Sequence, residues 1–566
     1  MLFSTAPAGR VCLAVLVGAC LVAGCPTPPV NAPPAGKVAA RAVASLADAK
    51  AAAGGRQWQR AYEIYAHHFL RNARAFESNP ELYADFVKVC FELSRHRAAV
   101  ALARRFATLR PADIRIGMVV RALTLHGQHK DAIKHADAYL ARGIGHRPEL
   151  LYWRAKAYFS LGQYSNAASS MTGAQGVTGG AQDYWLAESL RRQGRYPEAR
   201  AAAERAARGS KAPHVQALLS ELVRAERTGL DVRLVRPGAV ELSVYHLLTD
   251  DGAGPYGALL SLQVANLRPA SVELRIEAEL VGMSQPVTRQ VTIVGSGGGA
   301  PQSTPVHLTP QLDRAAATGA GERQRRTLRV KVTRLQDNAV ILDEAQSITV
   351  LPRDYVAYSR QSPEDPDKFV RDDGGFGVLI TPRARWVDPV LGYAKSIHPK
   401  LELAGPFAES VSQVRAVYEY LRRIGVSYAI GSPTLYRQKG EPMVQRIRPP
   451  GTVLQLRAAQ CWEGTNVFAA LLEALKLEPV LFRVPGHILV GWKKNRYDTA
   501  PSAAGTPYYF LETTLIGKAS FEDALRTGAS RLVTEYRAGN LKNRMARIIE
   551  VDSLRKKGIL PQPWDD

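Results

Sequence analysis

The sequence predicts a multidomain protein with three successive folded parts: all-α helical repeats, an antiparallel β-sandwich and an α+β domain. Alanines recur at a nearly constant interval within the helix-periodic residues 39–228. Residues 229–355 contain short runs with the two-residue alternation of strands. Residues 375–566 combine an amphipathic helix, a strongly apolar helix and strand-like runs. Each part therefore has its own periodicity.

Length and charge limit the classes of protein that fit. At 566 residues the chain is too long for one hydrophobic core, and 46% hydrophobic with 22% charged residues is typical of globular proteins. The net charge is +23, with basic residues spread along the chain rather than clustered, which argues against nucleic-acid binding. An anionic cell-wall polymer or lipid surface suits such a charge, and solvated arginine faces are the alternative explanation.

The N-terminus has the pattern of an export signal. After Arg10 comes an apolar run too short to span a bilayer but of the length found in signal peptides. It ends in VAGC, with the cysteine at Cys25, and this resembles the lipobox of bacterial lipoproteins. The resemblance implies removal of residues 1–24 and diacylation of Cys25, with acyl chains such as palmitate. Cleavage at Cys20 and plain secretion are the alternatives.

The lipobox implies a location as well. A lipidated Cys25 would anchor the chain to a membrane of a bacterial cell envelope, and we favour the outer membrane with a periplasmic or surface-facing position. Residues 25–38 are Pro-rich, and such chains adopt extended polyproline conformation. They are predicted to be a tether.

Residues 39–228 carry a self-similar element, a short turn followed by a bulky residue and an alanine. The alanines at positions 61, 99, 132, 167 and 199 are separated by steps of 38, 33, 35 and 32 residues. This spacing resembles the 34-residue tetratricopeptide (TPR) repeat. The resemblance implies stacked helix pairs with a groove for a protein partner. An architectural spacer is the alternative.

The predicted sandwich at 229–355 is of the immunoglobulin-like type, because several short strands alternate with turn signals. Residues 252–257 match G-x-G-x-x-G, but they separate two strand-like runs, contain a proline and open no helix. We expect a hairpin loop there rather than a dinucleotide site.

The chemistry is concentrated after the polar connector at 356–374. Cys461 begins an apolar helix, where the helix dipole and free N–H groups stabilise a thiolate. His487 opens a strand and is placed to accept the thiol proton. Glu512 lies in a later strand-like run, where its carboxylate can orient the second imidazole nitrogen. These are the candidate catalytic residues.

This order of cysteine, histidine and acid, with a helix behind the cysteine, resembles the transglutaminase-like superfamily, relatives of papain-type cysteine peptidases. The resemblance implies thioester acyl transfer on a protein or peptide amide, with no cofactor and no metal. Most members have aspartate where this chain has Glu512. Besides the backbone N–H of Cys461, the side chain of Gln460, Gln455 or Tyr428 is a candidate oxyanion donor.

Two hypotheses of function follow. The first is an envelope lipoprotein with a cysteine peptidase, amidase or transamidase activity. The second is a non-enzymatic scaffold whose repeats bind partners and whose C-terminal fold has lost catalysis. Under this second hypothesis the C-terminal fold binds a peptide without reacting with it. A separate alternative is that Cys461 is an inert buried thiol and His487 a histidine at a strand end. Motifs for nucleotide, zinc-protease, dithiol and serine-hydrolase sites are missing from the sequence.

Overall fold

A computed structural model describes residues 45–563, apart from 94, 177–179, 236, 298–300, 362–368, 399–400, 430–434, 437–443 and 543–545. The predicted signal peptide, the tether and the lipidation site at Cys25 lie outside the described residues. The chain divides into two units, residues 1–126 and 127–566.

The first unit is helical. Its helices are α1 (Leu46–Gly54), α2 (Trp58–Arg71), α3 (Ala73–Ser78), α4 (Glu81–Glu92), α5 (His96–Leu109) and α6 (Gly117–Leu125). Helix α1 packs on α2, α4 on α5, and α5 on α6. The core is rich in aromatic rings, as Phe76 and Tyr83 are buried and meet edge to face at 5.5 Å between ring centroids.

Six more helices open the second unit. They are α7 (His129–Ala141), α8 (Arg147–Ser160), α9 (Tyr164–Gly173), α10 (Ala181–Arg192), α11 (Tyr196–Gly209) and α12 (Pro213–Thr228). The predicted turns join α8 to α9 and α10 to α11. Gly162 and Gly194 end the first helix of each pair with φ of 73° and 76°, a left-handed conformation that glycine adopts readily.

The five alanines that set the predicted period are all buried, none more than 1% exposed: Ala61, Ala99, Ala132, Ala167 and Ala199. A small side chain at these positions lets neighbouring helices approach closely. The predicted helical repeats are therefore confirmed.

A strand-rich region follows, as predicted. Its elements are β1 (Leu230–Val235), β2 (Ala239–Glu241), β3 (Leu260–Asn266), β4 (Val272–Leu280), β5 (Val287–Ile293), β6 (Ser303–Leu308), α13 (Arg314–Gly319), β7 (Gln324–Arg334) and β8 (Val340–Leu351). The strands form two sheets, ordered β1-β3-β6 and β2-β8-β7-β4-β5. Only β2 with β8 is a parallel pair among these described strands.

The two sheets share one hydrophobic core, which includes Leu262 and Val264 from the first sheet and Leu274 and Ile276 from the second. The segment 252–257 connects β2 to β3, which belong to different sheets. The prediction of a hairpin loop there is therefore wrong. Which strands share a sheet cannot be predicted from the alternation of apolar and polar residues, because strand pairing depends on contacts between residues far apart in the chain.

A buried ion cluster joins the last helices to the first strand. The guanidinium of Arg191 in α10 is almost fully buried and donates from Nε to Asp231 Oδ2 at 2.8 Å. It also donates to Glu221 in α12 at 2.7 Å, and the hydroxyl of Tyr196 donates to Asp231 at 2.9 Å. Because a buried charge is costly without partners, this cluster holds the repeats and β1 in a defined arrangement.

The remaining elements build the α+β part. They are β9 (Tyr355–Ala357), β10 (Ser359–Gln361), β11 (Phe369–Arg371), α14 (Val387–Ile397), α15 (Ser410–Arg423), β12 (Ser427–Tyr428), β13 (Leu435–Tyr436), β14 (Val444–Arg446), α16 (Pro450–Leu456), β15 (Ala458–Ala459), α17 (Cys461–Ala474), β16 (Pro479–Val484), β17 (His487–Lys493), β18 (Tyr508–Leu511), α18 (Phe521–Arg537), β19 (Arg547–Glu550) and α19 (Val551–Lys556). The main sheet is antiparallel, in the order β18-β17-β16-β19.

Helices cover both faces of this sheet. Ile488 and Val490 belong to the hydrophobic core that contains α17, whereas Leu489 packs in a second core with Leu532 of α18. Helix α18 approaches β18 closely, because an added Cβ at Gly528 would lie 2.2 Å from the Phe510 carbonyl oxygen. The other strands of this part form small sheets, in the orders β13-β14-β9, β10-β11 and β12-β15.

Across the part of the chain that the structure describes, no helix combines the length and apolar character needed to cross a bilayer.

Candidate functional site

Cys461 is the first residue of α17, directly after the short strand β15 and the capping residue Gln460. It is a free, half-buried thiol. Its position at the amino end of a 14-residue helix places it where N–H groups lack intrahelical acceptors and the helix dipole is positive. The structure thus places this predicted residue where an anion is stabilised.

A buried ion pair fixes the turn that carries Cys461. The carboxylate of Glu463 is 2% exposed and accepts from Arg448 Nε at 2.8 Å and from the Arg448 backbone N–H at 3.0 Å. It also accepts from the backbone N–H of Gln460 at 2.9 Å. This pair was not predicted from the sequence, although a glutamate three residues after the cap is a recognisable capping signal.

His487 and Glu512 are brought together by the antiparallel pairing of β17 with β18. His487 opens β17 and Glu512 directly follows β18. The imidazole Nε2 lies 2.7 Å from Glu512 Oε2. The other carboxylate oxygen accepts from the Thr514 hydroxyl at 2.6 Å and from its N–H at 3.1 Å. Both oxygens of Glu512 are therefore held in place.

The electrostatics favour a protonated His487. Burial by itself lowers the pKa of His487, but hydrogen bonds to the Cys461 thiol and to Glu512 outweigh it and raise that pKa to about 9. Burial also acts to raise the pKa of Glu512, and the hydrogen bond and charge of His487 lower it on balance. Histidine and glutamate thus form an ion pair at neutral pH.

Cys461 also lies close enough to His487 to contribute to its raised pKa, while Nε2 of the ring contacts Glu512. The first turn of α17 also touches the segment after β18, where the Thr513 hydroxyl donates to the Cys461 carbonyl at 3.5 Å. An added Cβ at Gly464 would lie 3.1 Å from that hydroxyl oxygen. Glycine at 464 therefore permits this close approach.

Among the three candidate oxyanion side chains, Tyr428 is the one that the fold brings to Cys461. Strand β12 runs parallel to β15 and pairs Tyr428 with Ala459, two residues before the cysteine. Burial, and then the negative charges of Cys461 and Glu512, raise the pKa of Tyr428. Gln455 is exposed on α16, and Gln460 is half-buried at the cap. The phenol is thus the best-placed donor of the three.

Two aromatic rings pack against Trp462, the residue that follows Cys461. Trp462, 4% exposed, stacks on Phe376 with ring centroids 4.4 Å apart and planes 8° from parallel. Tyr358 meets Trp462 edge to face at 5.3 Å. This stack was not predicted from the sequence, because its members lie far apart in the chain.

Cys90, the other free cysteine of the described residues, is fully buried in α4, and burial raises the pKa of its thiol to about 12. Within the described residues, no group of three or more histidine, cysteine or acidic side chains is arranged to hold a metal ion.

Comparisons with known proteins concern the helical part. A family model, "Anaphase-promoting complex, cyclosome, subunit 3", matches residues 126–206. Similar solved structures include a thermophilic TPR protein from Thermus thermophilus, 17% identical with a TM-score of 0.25, covering 31% of this chain and 96% of that one. A candidate protein-binding protein from Bacteroides ovatus is 14% identical with a TM-score of 0.18, covering 32% and 96%.

Comparison with curated proteins gives no match. The family match covers the two clearest repeat turns, which join α8 to α9 and α10 to α11. The buried alanines and the helix-pair period agree with it. The helical part of this chain is therefore TPR-like, an architecture that binds protein partners.

Proposed function

We propose that the C-terminal part, residues 375–566, is a transglutaminase-like cysteine domain that transfers an acyl group from a protein or peptide amide. The observation that carries this proposal is the 2.7 Å contact between the His487 imidazole and the Glu512 carboxylate, with the thiol of Cys461 close enough to help raise the pKa of His487. A helix N-terminus at the thiol and a carboxylate behind the histidine are the two elements that cysteine nucleophiles use. The site needs no bound group for this chemistry.

In the first step, the thiolate of Cys461 attacks the amide carbonyl carbon and forms a tetrahedral oxyanion. The backbone N–H of Cys461 and the hydroxyl of Tyr428 are the proposed donors to that oxyanion. His487 then gives its proton to the leaving amine as the C–N bond breaks, leaving a thioester on Cys461. Water or a second amine resolves the thioester, with His487 accepting its proton. Water gives a peptidase or amidase, and an amine gives a transamidase.

Glutamate in place of the family's aspartate is compatible with this mechanism. The carboxylate of Glu512 reaches His487 at 2.7 Å, and Thr514 holds its second oxygen. The longer side chain therefore still contacts the imidazole.

The rest of the chain suggests where the domain acts. The VAGC sequence supports a lipid anchor at Cys25, with the Pro-rich tether behind it, in the envelope of a bacterium. The TPR-like repeats would bring a protein partner or substrate to the domain. A net charge of +23 also suits contact with an anionic polymer or lipid of the envelope.

The test is the rate at which iodoacetamide alkylates Cys461 between pH 5 and 9 in the full chain. Mass spectrometry of the tryptic peptide that begins after Arg457 separates Cys461 from the other cysteines. An ordinary thiol has a pKa of about 8.5 and reacts little at pH 6. We expect alkylation at pH 6 at least tenfold faster than for such a thiol, and slowed by His487→Ala and Glu512→Ala. Buried Cys90 serves as the unreactive internal control.

A rate that follows an ordinary thiol and ignores His487→Ala would contradict the enzyme proposal. That result would favour the second function, a scaffold, which the TPR-like repeats support independently. In that case Cys461→Ala would leave both partner binding and the cellular phenotype unchanged. A change in phenotype with intact partner binding would instead favour the enzyme.

A further inference from the structure

A cleft with two arginines in its lining lies at the start of β12, the strand that carries Tyr428. It has a volume of about 670 Å³ and is formed by the end of α15, the start of β12 and the turn before α18. Arg422 and Arg423 line it on the α15 side, and Ser427 and Gly517 line it on the other. An added Cβ at Gly517 would lie 3.5 Å from the Ser427 side chain, so these two walls touch.

Two lining residues are chain neighbours of residues near the candidate active site. Ser427 is followed by Tyr428, which pairs with Ala459 two residues before Cys461, and Gly517 is followed by Lys518. The ammonium of Lys518 lies 5.0 Å from the centroid of the Tyr428 ring, within cation–π distance. Lys518 thus contacts the proposed oxyanion donor from a position next to the cleft lining.

The charge of this region is unbalanced. Arg422 pairs with Glu419, whose carboxylate is the acidic group in the cleft lining, at 2.8 Å. Arg423 and Lys518 are exposed, and neither has an ion-pair partner among the described residues. The side chain of Arg457 adds a cation, since its Cδ would lie 3.9 Å from a Cβ added at Gly425 in the lining. It too lacks an ion-pair partner in the described part of the chain.

Three cations without ion-pair partners among the described residues, around one already paired carboxylate, create a field that attracts anions. Guanidinium groups bind carboxylates with two parallel hydrogen bonds. The proposed function also requires a ligand that presents an amide bond to the thiol of Cys461. A peptide that carries acidic side chains meets both requirements, whereas a phosphate polymer lacks the amide.

We propose that the cleft binds the acyl-donor peptide and selects one with carboxylate side chains, which Arg423, Arg457 and Lys518 bind. This inference rests on the proposed function, since it assigns the substrate class of that same site. It does not depend on turnover, so binding can be measured separately from catalysis.

The experiment uses the full chain with Cys461→Ala, so that no covalent step takes place. A fluorescent hexapeptide of alternating glutamate and alanine is titrated by anisotropy beside its glutamine counterpart. We expect at least tenfold tighter binding of the glutamate peptide in low salt. The difference should shrink at 1 M salt, where the Debye length falls to about 3 Å from about 10 Å at 0.1 M.

Three variants test the residues. Arg423→Gln and Lys518→Gln should each weaken binding of the glutamate peptide several-fold, while Arg537→Gln, an exposed arginine on α18, should leave it unchanged. Arg423→Glu should reverse the preference toward a lysine version of the peptide. Thermal unfolding of each variant checks that it folds. If one of the two glutamine variants does not fold, Arg423→Glu still tests the proposal.

Equal affinity for the glutamate and glutamine peptides would overturn the proposal, as would equal losses in Arg423→Gln and Arg537→Gln. Tighter binding of polyphosphate than of the glutamate peptide would also overturn it in favour of a phosphate polymer. The proposed function fails by a different measurement, the alkylation rate of Cys461, which does not involve the peptide.

Discussion

The imidazole Nε2 of His487 and the carboxylate Oε2 of Glu512 lie 2.7 Å apart, and Thr514 holds the other carboxylate oxygen. This contact orients the imidazole and helps to raise the pKa of His487. Because it raises the pKa of His487, it also makes the stability of the folded chain depend on pH.

The pKa of His487 in the folded chain, about 9, lies above its unfolded value near 6.5. A raised histidine pKa stabilises the folded state fully below about pH 6.5, and the contribution is lost as pH rises through about 9. Glu512→Gln removes the charged partner. We expect it to lower the unfolding temperature more at pH 6 than at pH 9.5. Histidine-selective NMR should show the pKa of His487 falling toward its usual value, and a pH-independent difference would contradict the assignment.

Removing Arg448 should leave the Glu463 carboxylate, 2% exposed, without its guanidinium partner. Breaking a fully buried pair on one side costs about 3–5 kcal/mol, and the cost here should be smaller because the Arg448 side chain is 26% exposed. We therefore expect Arg448→Met to lower thermal stability clearly and to alter Cys461 alkylation, because the same carboxylate holds the turn at Gln460.

Two controls accompany this change. The double variant Arg448→Met with Glu463→Leu removes both charges and should be less destabilised than Arg448→Met alone. Arg526→Met breaks a pair whose arginine is 72% exposed, and we expect a change below about 1 kcal/mol. Equal losses in all three would show that the pair has no special role.

The TPR-like packing predicts that leucine substitutions at two alanines of α11 have different effects on stability. Ala199 is fully buried in α11, whereas Ala201, two residues on, is exposed. Ala199→Leu overpacks the helix contact and should cost about 1–3 kcal/mol. Ala201→Leu should be nearly neutral, because leucine is a good helix former. Circular-dichroism melting of the two variants checks this, and similar melting temperatures would contradict the predicted register.

Substitution by alanine at two helical glycines of the C-terminal part should change the thermal stability in opposite directions. At Gly528 the added Cβ would lie 2.2 Å from the Phe510 carbonyl oxygen, so Gly528→Ala should be destabilising. At Gly392 in α14 nothing lies within 4 Å of that position, and Gly392→Ala should stabilise by about 0.5–1 kcal/mol. Thermal melts of both variants measure the signs. Stabilisation by Gly528→Ala would show that α18 does not lie this close to β18.

Local patterns were enough to predict part of this protein. The alanine period predicts the helix pairs because residues one helical turn apart share a face, and all five alanines are buried. The positions of Cys461 at the start of a helix and of His487 at the start of a strand were also predicted, whereas the catalytic role of these residues and of Glu512 is a proposal. The lipidation prediction at Cys25 depends on sequence alone, since the described residues begin at 45.

Other features depend on contacts between distant residues. The parallel pairing of β2 with β8, and the crossing of 252–257 between sheets, cannot be inferred from alternation within a single strand. The choice of Tyr428 over Gln455 beside the thiol required the pairing of β12 with β15.

By itself, then, the sequence determined the order of the helical and strand-rich parts and supplied the residues for which we propose cysteine chemistry, because periodicity and side-chain type are local properties. Only the tertiary structure decided which charged groups meet. It paired Arg448 with Glu463. It left Arg423 in the lining of a cleft, and Lys518 next to that lining, without carboxylate partners among the described residues. Ion pairing of this kind depends on how separate helices and strands pack. The sequence around a charged residue does not show whether that residue has a partner in the folded chain.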